Sequence, residues 1–102
     1  MIQRVVAVKL KPSFRNDETL AQITEQTLEV LPEAHGVRDV RVGLSSDGMT
    51  RRSYDFCIFV TFDHQDDVDR YRTDPVHRAY ADVFLKPMRD AIHVWNFEVP
   101  DA

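Results

Sequence analysis

One segment constrains the fold more than any other: residues 54–62, YDFCIFVTF, which alternate as the two faces of a β-strand would. Aromatic and β-branched residues with a period of two predict a strand. One face would carry Tyr54, Phe56, Ile58, Val60 and Phe62, and the other would carry Asp55, Cys57, Phe59 and Thr61. Because both faces contain large apolar groups, a sheet built on this strand must be covered on both sides.

The rest of the chain predicts three further strands, at residues 2–11, 37–44 and 91–99. A helix capped by Asn16 or Asp17 follows the first strand and ends near Pro32. The segment 45–53, SSDGMTRRS, is polar and contains an Asp-Gly turn signal, so it is predicted as a loop.

Two more helices are predicted between the third and fourth strands. Asp63 is expected to cap a short acidic helix, and the pair Asp74-Pro75 is a strong start signal for another. The order β-α-β-β-α-α-β predicts an α+β, ferredoxin-like fold with an antiparallel sheet.

The last strand, like the third, is apolar on both faces. Trp95 and Phe97 share one face, whereas Ile92 and Val94 share the other. Since the helices cover one side of a ferredoxin-like sheet, a second copy of the same sheet is the simplest cover for the other. The sequence therefore predicts a homodimer that pairs through the open sheet face, as a dimeric α/β barrel.

Composition narrows the classes of function. The length of 102 residues suits one domain, 1–102, and a net charge of −4 without a basic patch argues against binding to nucleic acid or to an anionic membrane. Cys57 is the only cysteine, which excludes an intramolecular disulfide and a cysteine-based zinc site.

The acidic residues of 63–69 suit the first turn of a helix better than a calcium loop, so no metal is expected. Without a signal-like or membrane-spanning run, a cytoplasmic protein is expected.

The stretch RYRTDPVHRAY, residues 70–80, contains the pattern Tyr71-x-x-Asp74-Pro75-x-His77. Together with MIQRVVAVKLKP at the start and VWNFEV near the end, this pattern makes the chain resemble the stress-responsive dimeric A/B-barrel (Dabb) family over nearly its whole length. The resemblance implies a ferredoxin-like subunit whose sheet pairs into a dimeric barrel. The family usually has histidine where this chain has Asp74.

The resemblance leaves the activity open between two kinds of family member. Members include stress proteins without assigned chemistry and a plant polyketide cyclase, which performs an intramolecular aldol condensation without a cofactor. The cyclase relies on a histidine and a tyrosine of this motif, which correspond to His77 and Tyr71. This chain has Arg4 where the family often has histidine, and Phe56 where the cyclase has one.

The residues themselves allow the same chemistry. Backbone N–H groups at the start of a helix disfavour a charged His77, so a neutral imidazole could act as a general base. The Tyr71 hydroxyl could hold a carbonyl or enolate oxygen. Alternatively, His77 bonds its own backbone and Tyr71 belongs to the core.

Five further residues are candidates for the wall of a ligand pocket between helices and sheet: Arg4, Phe56, Tyr80, Phe84 and Trp95. The four aromatic residues could equally be core. Arg4 could bind a ligand carboxylate, pair with an acid across the dimer, or be an exposed arginine at a strand end. A small apolar or aromatic ligand would suit such a pocket.

Three functions remain open at this point. The first is a small-molecule-binding or stress-associated dimer. The second is a cofactor-independent enzyme, either polyketide-cyclase-like or another proton-transfer catalyst, that uses His77 and Tyr71. The third is a cofactor-free monooxygenase of the related dimeric ferredoxin-like group, which lacks the Tyr-x-x-x-Pro-x-His signature.

Overall fold

The structure, a computed structural model, describes residues 1–101. Its centre is a four-stranded sheet of β1 (Ile2–Leu10), β2 (Asp39–Leu44), β3 (Phe56–Phe62) and β4 (Arg89–Glu98). The strands lie in the order β2-β3-β1-β4, and each neighbouring pair is antiparallel. The predicted α+β, ferredoxin-like fold is confirmed.

Helix α1 (Asp17–Val30) connects β1 to β2. It begins where the Asn16 side chain accepts a hydrogen bond from the Thr19 N–H at 2.8 Å, so Asn16 rather than Asp17 is the cap. The helix ends in a 3₁₀ turn at Leu31–Glu33, which contains the predicted terminating Pro32.

The segment between β2 and β3 corrects the sequence prediction of a loop, because it contains a short helix, α2 (Gly48–Ser53). The Asp47 carboxylate accepts from the Thr50 N–H at 2.8 Å, which satisfies one of the free N–H groups of the first turn. The Asp-Gly pair that suggested a turn is therefore a helix cap and the first helical residue.

Helices α3 (Gln65–Thr73) and α4 (Pro75–Ala79) lie between β3 and β4, and α4 continues directly into a π-helical turn at Tyr80–Leu85. The N-cap residue of α3 is His64, whose side chain makes no capping hydrogen bond, and not Asp63 as predicted. The Asp63 carboxylate instead accepts a hydrogen bond from Arg38 at 2.6 Å.

The two faces of the sheet differ as the alternation predicts. On the helix face, which we define as the side that packs on the helices, Phe56, Ile58, Val60 and Phe62 of β3 are each at most 2% exposed. The opposite side, here called the open face, carries Val5, Phe59 and Trp95 in one row across β3, β1 and β4. Trp95 is 42% exposed and Phe97 is 52% exposed, so this apolar face is uncovered within the chain.

Candidate functional site

A partly enclosed cavity of about 160 Å³ lies between the helix face of the sheet and the α3–α4 segment. Apolar side chains of β1, β3, β4 and the π-helical turn form much of its wall. Its polar or ionisable lining residues are Arg4, Tyr71, His77, Arg78, Tyr80, Asp82 and Arg89. The structure therefore brings four of the seven residues predicted for the site, Arg4, Tyr71, His77 and Tyr80, to one cavity.

The junction of α3 and α4 places Tyr71 and His77 side by side. Asp74 stands between the helices in an extended conformation, and its side chain accepts from the Val76 N–H at 2.9 Å. Pro75 occupies the first turn of α4, as predicted. Because the chain turns sharply here, the rings of Tyr71 and His77 stack with their centroids 4.1 Å apart and their planes at 28°.

His77 is 9% exposed, and burial lowers the pKa of its imidazole, since desolvation disfavours the charged ring. Its Nδ1 lies 3.3 Å from the carbonyl oxygen of Arg72. A carbonyl oxygen only accepts, so Nδ1 carries the proton and donates to it. The neutral ring consequently keeps a lone pair on Nε2, as a general base requires.

Tyr71 is 2% exposed and packs edge-on against Phe62, with centroids 5.0 Å apart. Burial raises the pKa of its phenol, and the nearby Arg4 guanidinium, which acts in the opposite direction, only partly offsets this. The phenol therefore stays protonated at neutral pH and can serve as a hydrogen-bond donor. Tyr71 is both a core residue and a lining residue of the cavity.

Arg4 is 8% exposed, which excludes an exposed strand-end arginine. Its position opposite Asn96 in the β1–β4 pairing puts it on the helix face, where its Nη1 donates to Asn96 Oδ1 at 3.1 Å. Its guanidinium carbon lies 5.6 Å from the centre of the Tyr71 ring. The Nε of Arg4 is buried without a hydrogen-bond partner among the described residues.

Tyr80 closes the cavity on the helix side. Thr27 donates its hydroxyl proton to the carbonyl of Ile23 at 2.6 Å, so the Tyr80 hydroxyl donates to Thr27 Oγ1, 2.5 Å away. Burial raises the pKa of Tyr80 to about 12. With its one proton used in this way, Tyr80 contributes a fixed wall rather than a free donor.

The other three predicted wall residues lie away from the cavity. Phe84 packs on the outer side of Tyr80, with ring centroids 5.5 Å apart. Phe56 is on the helix face, but it pairs with Val8, whereas the cavity lies toward Arg4 and Val6. Trp95 is on the open face, because it pairs with Val5.

Sequence reasoning missed three charged residues of the cavity. Arg78 and Asp82 are one helical turn apart and form an ion pair, with Arg78 Nε 3.1 Å from Asp82 Oδ2. Their i, i+4 spacing, directly after His77, was an available signal. Arg89 was missed because β4 begins two residues earlier than predicted.

No group of three or more His, Cys, Asp or Glu side chains among residues 1–101 is arranged to hold a metal ion. In the same part of the chain, no helix combines the length and the apolar character needed to cross a membrane.

The structure is similar to several solved structures. A crystal structure of an Arabidopsis thaliana protein has a TM-score of 0.83 at 16% identity, and the match covers 100% of this chain and 98% of that one. A dimeric protein of unknown function with a ferredoxin-like fold from Bacteroides fragilis has a TM-score of 0.76 at 24% identity, over 96% and 95% of the two chains. A hydroxynitrile lyase from Passiflora edulis has a TM-score of 0.79 at 15% identity, over 99% and 94%.

These neighbours share the ferredoxin-like α+β fold, and in this chain the cavity lies between the helices and the sheet of that fold. No curated protein matches the sequence significantly. The profile of the Stress Responsive A/B Barrel Domain (Dabb) matches residues 2–99, and the chain belongs to that family.

Proposed function

We propose that the protein is a small-molecule-binding domain whose ligand occupies the cavity between α3–α4 and the sheet. The observation that carries the proposal is the cavity itself, where the Tyr71 and His77 side chains stand beside an apolar wall. Its volume of about 160 Å³ is close to that of an engineered cavity of roughly 150 Å³ that binds benzene. A ligand of about that size, with one polar group, suits the site.

We further propose that the working form is a homodimer that pairs through the open face. Support comes from the apolar row of Val5, Phe59 and Trp95, in which Trp95 is exposed and the other two are half-buried, and from the dimeric Bacteroides fragilis neighbour of the same fold. A sheet that is apolar on both sides needs a second cover, which a copy of the same sheet supplies.

Ligand binding can be tested by filling the cavity. Ala81 lines it, whereas Ala79, two residues earlier on the same helical segment, is exposed. Ala81→Phe should abolish the thermal stabilisation given by small aromatic and apolar compounds, and Ala79→Phe should retain it. At a ligand concentration of about 100 Kd, the stabilisation should reach about 2.7 kcal/mol. A compound library that stabilises neither the wild type nor Ala79→Phe would refute the proposal.

A second candidate function is proton-transfer catalysis on a carbonyl compound without a cofactor. The neutral His77, with its Nε2 lone pair, supports it as a general base, and the protonated Tyr71 could donate to the developing enolate oxygen. The hydroxynitrile lyase neighbour shows that the fold can host an enzyme. His77→Gln, which fills part of the space and keeps an amide that can donate to the Arg72 carbonyl, should abolish turnover of a carbonyl substrate with only a small fall in the melting temperature. A large loss of stability would instead mark His77 as structural.

A further inference from the structure

We propose that the cavity selects ligands that carry a carboxylate, and that Arg4 is the residue that binds it. This inference rests on the proposed ligand-binding function and adds the chemical class of the ligand. The Arg4 guanidinium is a buried positive charge, and no acidic group in the described part of the chain pairs with it.

Among residues 1–101, Arg4 has no carboxylate partner, because each ion pair joins other groups and no acidic oxygen lies within 4.0 Å of the Arg4 guanidinium. Asp82, which also lines the cavity, is paired with Arg78. Asp74 caps α4. A charge that is buried without a partner is costly, so a binding anion gains the energy of neutralising it.

The hydrogen-bonding pattern of Arg4 leaves one edge of the guanidinium for a ligand. Nη1 donates to Asn96, whereas Nε is buried and unpaired. Nε and Nη2 form the other edge, which matches the two oxygens of a carboxylate in a bidentate pair. Asn96 thus holds the guanidinium through Nη1, and Nε is the donor that still lacks an acceptor.

The surroundings favour an anion as well. Arg78 and Arg89 line the same cavity, and Asp82 is the one acidic lining residue among residues 1–101. A partner subunit that covers the open face, as proposed, would lie on the side of the sheet opposite to Arg4. The protonated Tyr71 adds a hydroxyl donor within the same cavity.

The size and apolar wall of the cavity restrict the rest of the ligand. About 160 Å³, lined by Val6, Ile58 and Ile92 among others, suits a benzene-sized body. A small aromatic carboxylate, such as benzoate, or a short branched aliphatic acid therefore fits the chemistry. Inorganic phosphate would leave the apolar wall without contacts.

The test is calorimetric titration of the full chain with benzoate and with benzamide, which has the same shape but no charge. Benzoate should bind to the wild type at least tenfold more tightly than benzamide. Arg4→Met should remove that preference. Arg4→Lys, which keeps the charge but loses the bidentate edge, should retain only part of it. Inorganic phosphate serves as the control for a non-specific anion effect.

Folding of the variants is checked separately by thermal unfolding without ligand. Arg4→Met should be at least as stable as the wild type, because it removes a buried unpaired charge. Equal binding of benzoate and benzamide, or a preference for benzoate that survives in Arg4→Met, would overturn the carboxylate inference and leave the ligand-binding proposal standing. If neither compound binds, the carboxylate inference is overturned. If no compound of a wider library binds either, the proposed ligand-binding function is overturned too.

Discussion

The open face of the sheet gives the sharpest quantitative prediction: Trp95→Ala should break the proposed homodimer. Trp95 is 42% exposed in the isolated chain and stands in the row with Val5 and Phe59. If a second sheet covers this row, the exposed part of the indole is buried on association. Two-fold symmetry places two copies of Trp95 in the interface.

The magnitude follows from the exposed area. Of a tryptophan surface of about 250 Å², 42% is about 100 Å². At about 25 cal/mol per Å², burial contributes about 2.5 kcal/mol per subunit, or about 5 kcal/mol for the dimer. Since about 1.4 kcal/mol is a factor of ten, Trp95→Ala should raise the dissociation constant by roughly three to four orders of magnitude.

Size-exclusion chromatography with light scattering over a dilution series measures this change. Leu28→Ala is a matched control, because Leu28 is 45% exposed but lies on α1 in the helix layer. We expect Leu28→Ala to leave the dimer intact. A wild type that is monomeric at micromolar concentration, or a Trp95→Ala variant as dimeric as Leu28→Ala, would show that the open face is not the interface.

Three further predictions concern the site and its supports. In the folded state, burial lowers the pKa of His77 below its ordinary value of about 6.5 in the unfolded chain. Below pH 6.5 the unfolded state therefore binds more protons than the folded state, and the free energy of unfolding should fall as the pH falls. His77→Gln should flatten the urea-unfolding profile between pH 6.5 and the lower folded-state value, and an unchanged slope would contradict this assignment. Asp74→Ala should cost about 1 kcal/mol through loss of the α4 cap, seen as a fall in melting temperature of about 4–8 °C. Asp74→Asn should keep the cap, because its amide oxygen still accepts from the Val76 N–H, but it should lose the bond that the second carboxylate oxygen accepts from the His35 N–H at 3.3 Å. Thr27→Val should lower the free energy of unfolding by about 1–3 kcal/mol, because it leaves the buried Tyr80 hydroxyl without its acceptor. In chemical denaturation, the double variant Thr27→Val/Tyr80→Phe should recover part of this stability, and no recovery would argue against the hydrogen bond.

Much of the fold could be predicted because its signals are local and periodic. The third strand shows a period of two over its whole length, and the structure buries Phe56, Ile58, Val60 and Phe62 as that pattern requires. Asp74 and Pro75 predict the start of α4, because an N-cap and a first-turn proline act within a few residues. These signals depend only on neighbours in the chain, so they can be read without the tertiary structure.

The errors arise where a weak local signal depends on distant partners. Segment 45–53 looks like a loop because its residues are polar, but the Asp47 cap and a hydrogen bond of 2.6 Å from the Lys9 ammonium of β1 to a helix carbonyl support one short helix. Asp63 is of a residue type that often caps helices, yet its carboxylate pairs with Arg38, which is 25 residues away in the chain. Long-range contacts such as this one are not visible in local composition.

The candidate site shows the same division. The sequence motif by itself determined that Tyr71 and His77 flank one helix junction, since a turn at Asp74-Pro75 brings residues six apart together. Strand alternation also determined that Trp95 and Phe97 share a face. Which face meets the helices was decided by the β1–β4 register, which set Arg4 against Asn96 on the helix face and Trp95 against Val5 on the open one. A one-residue shift in that register would exchange the two faces of β4 relative to β1, and only the folded sheet selects between these arrangements.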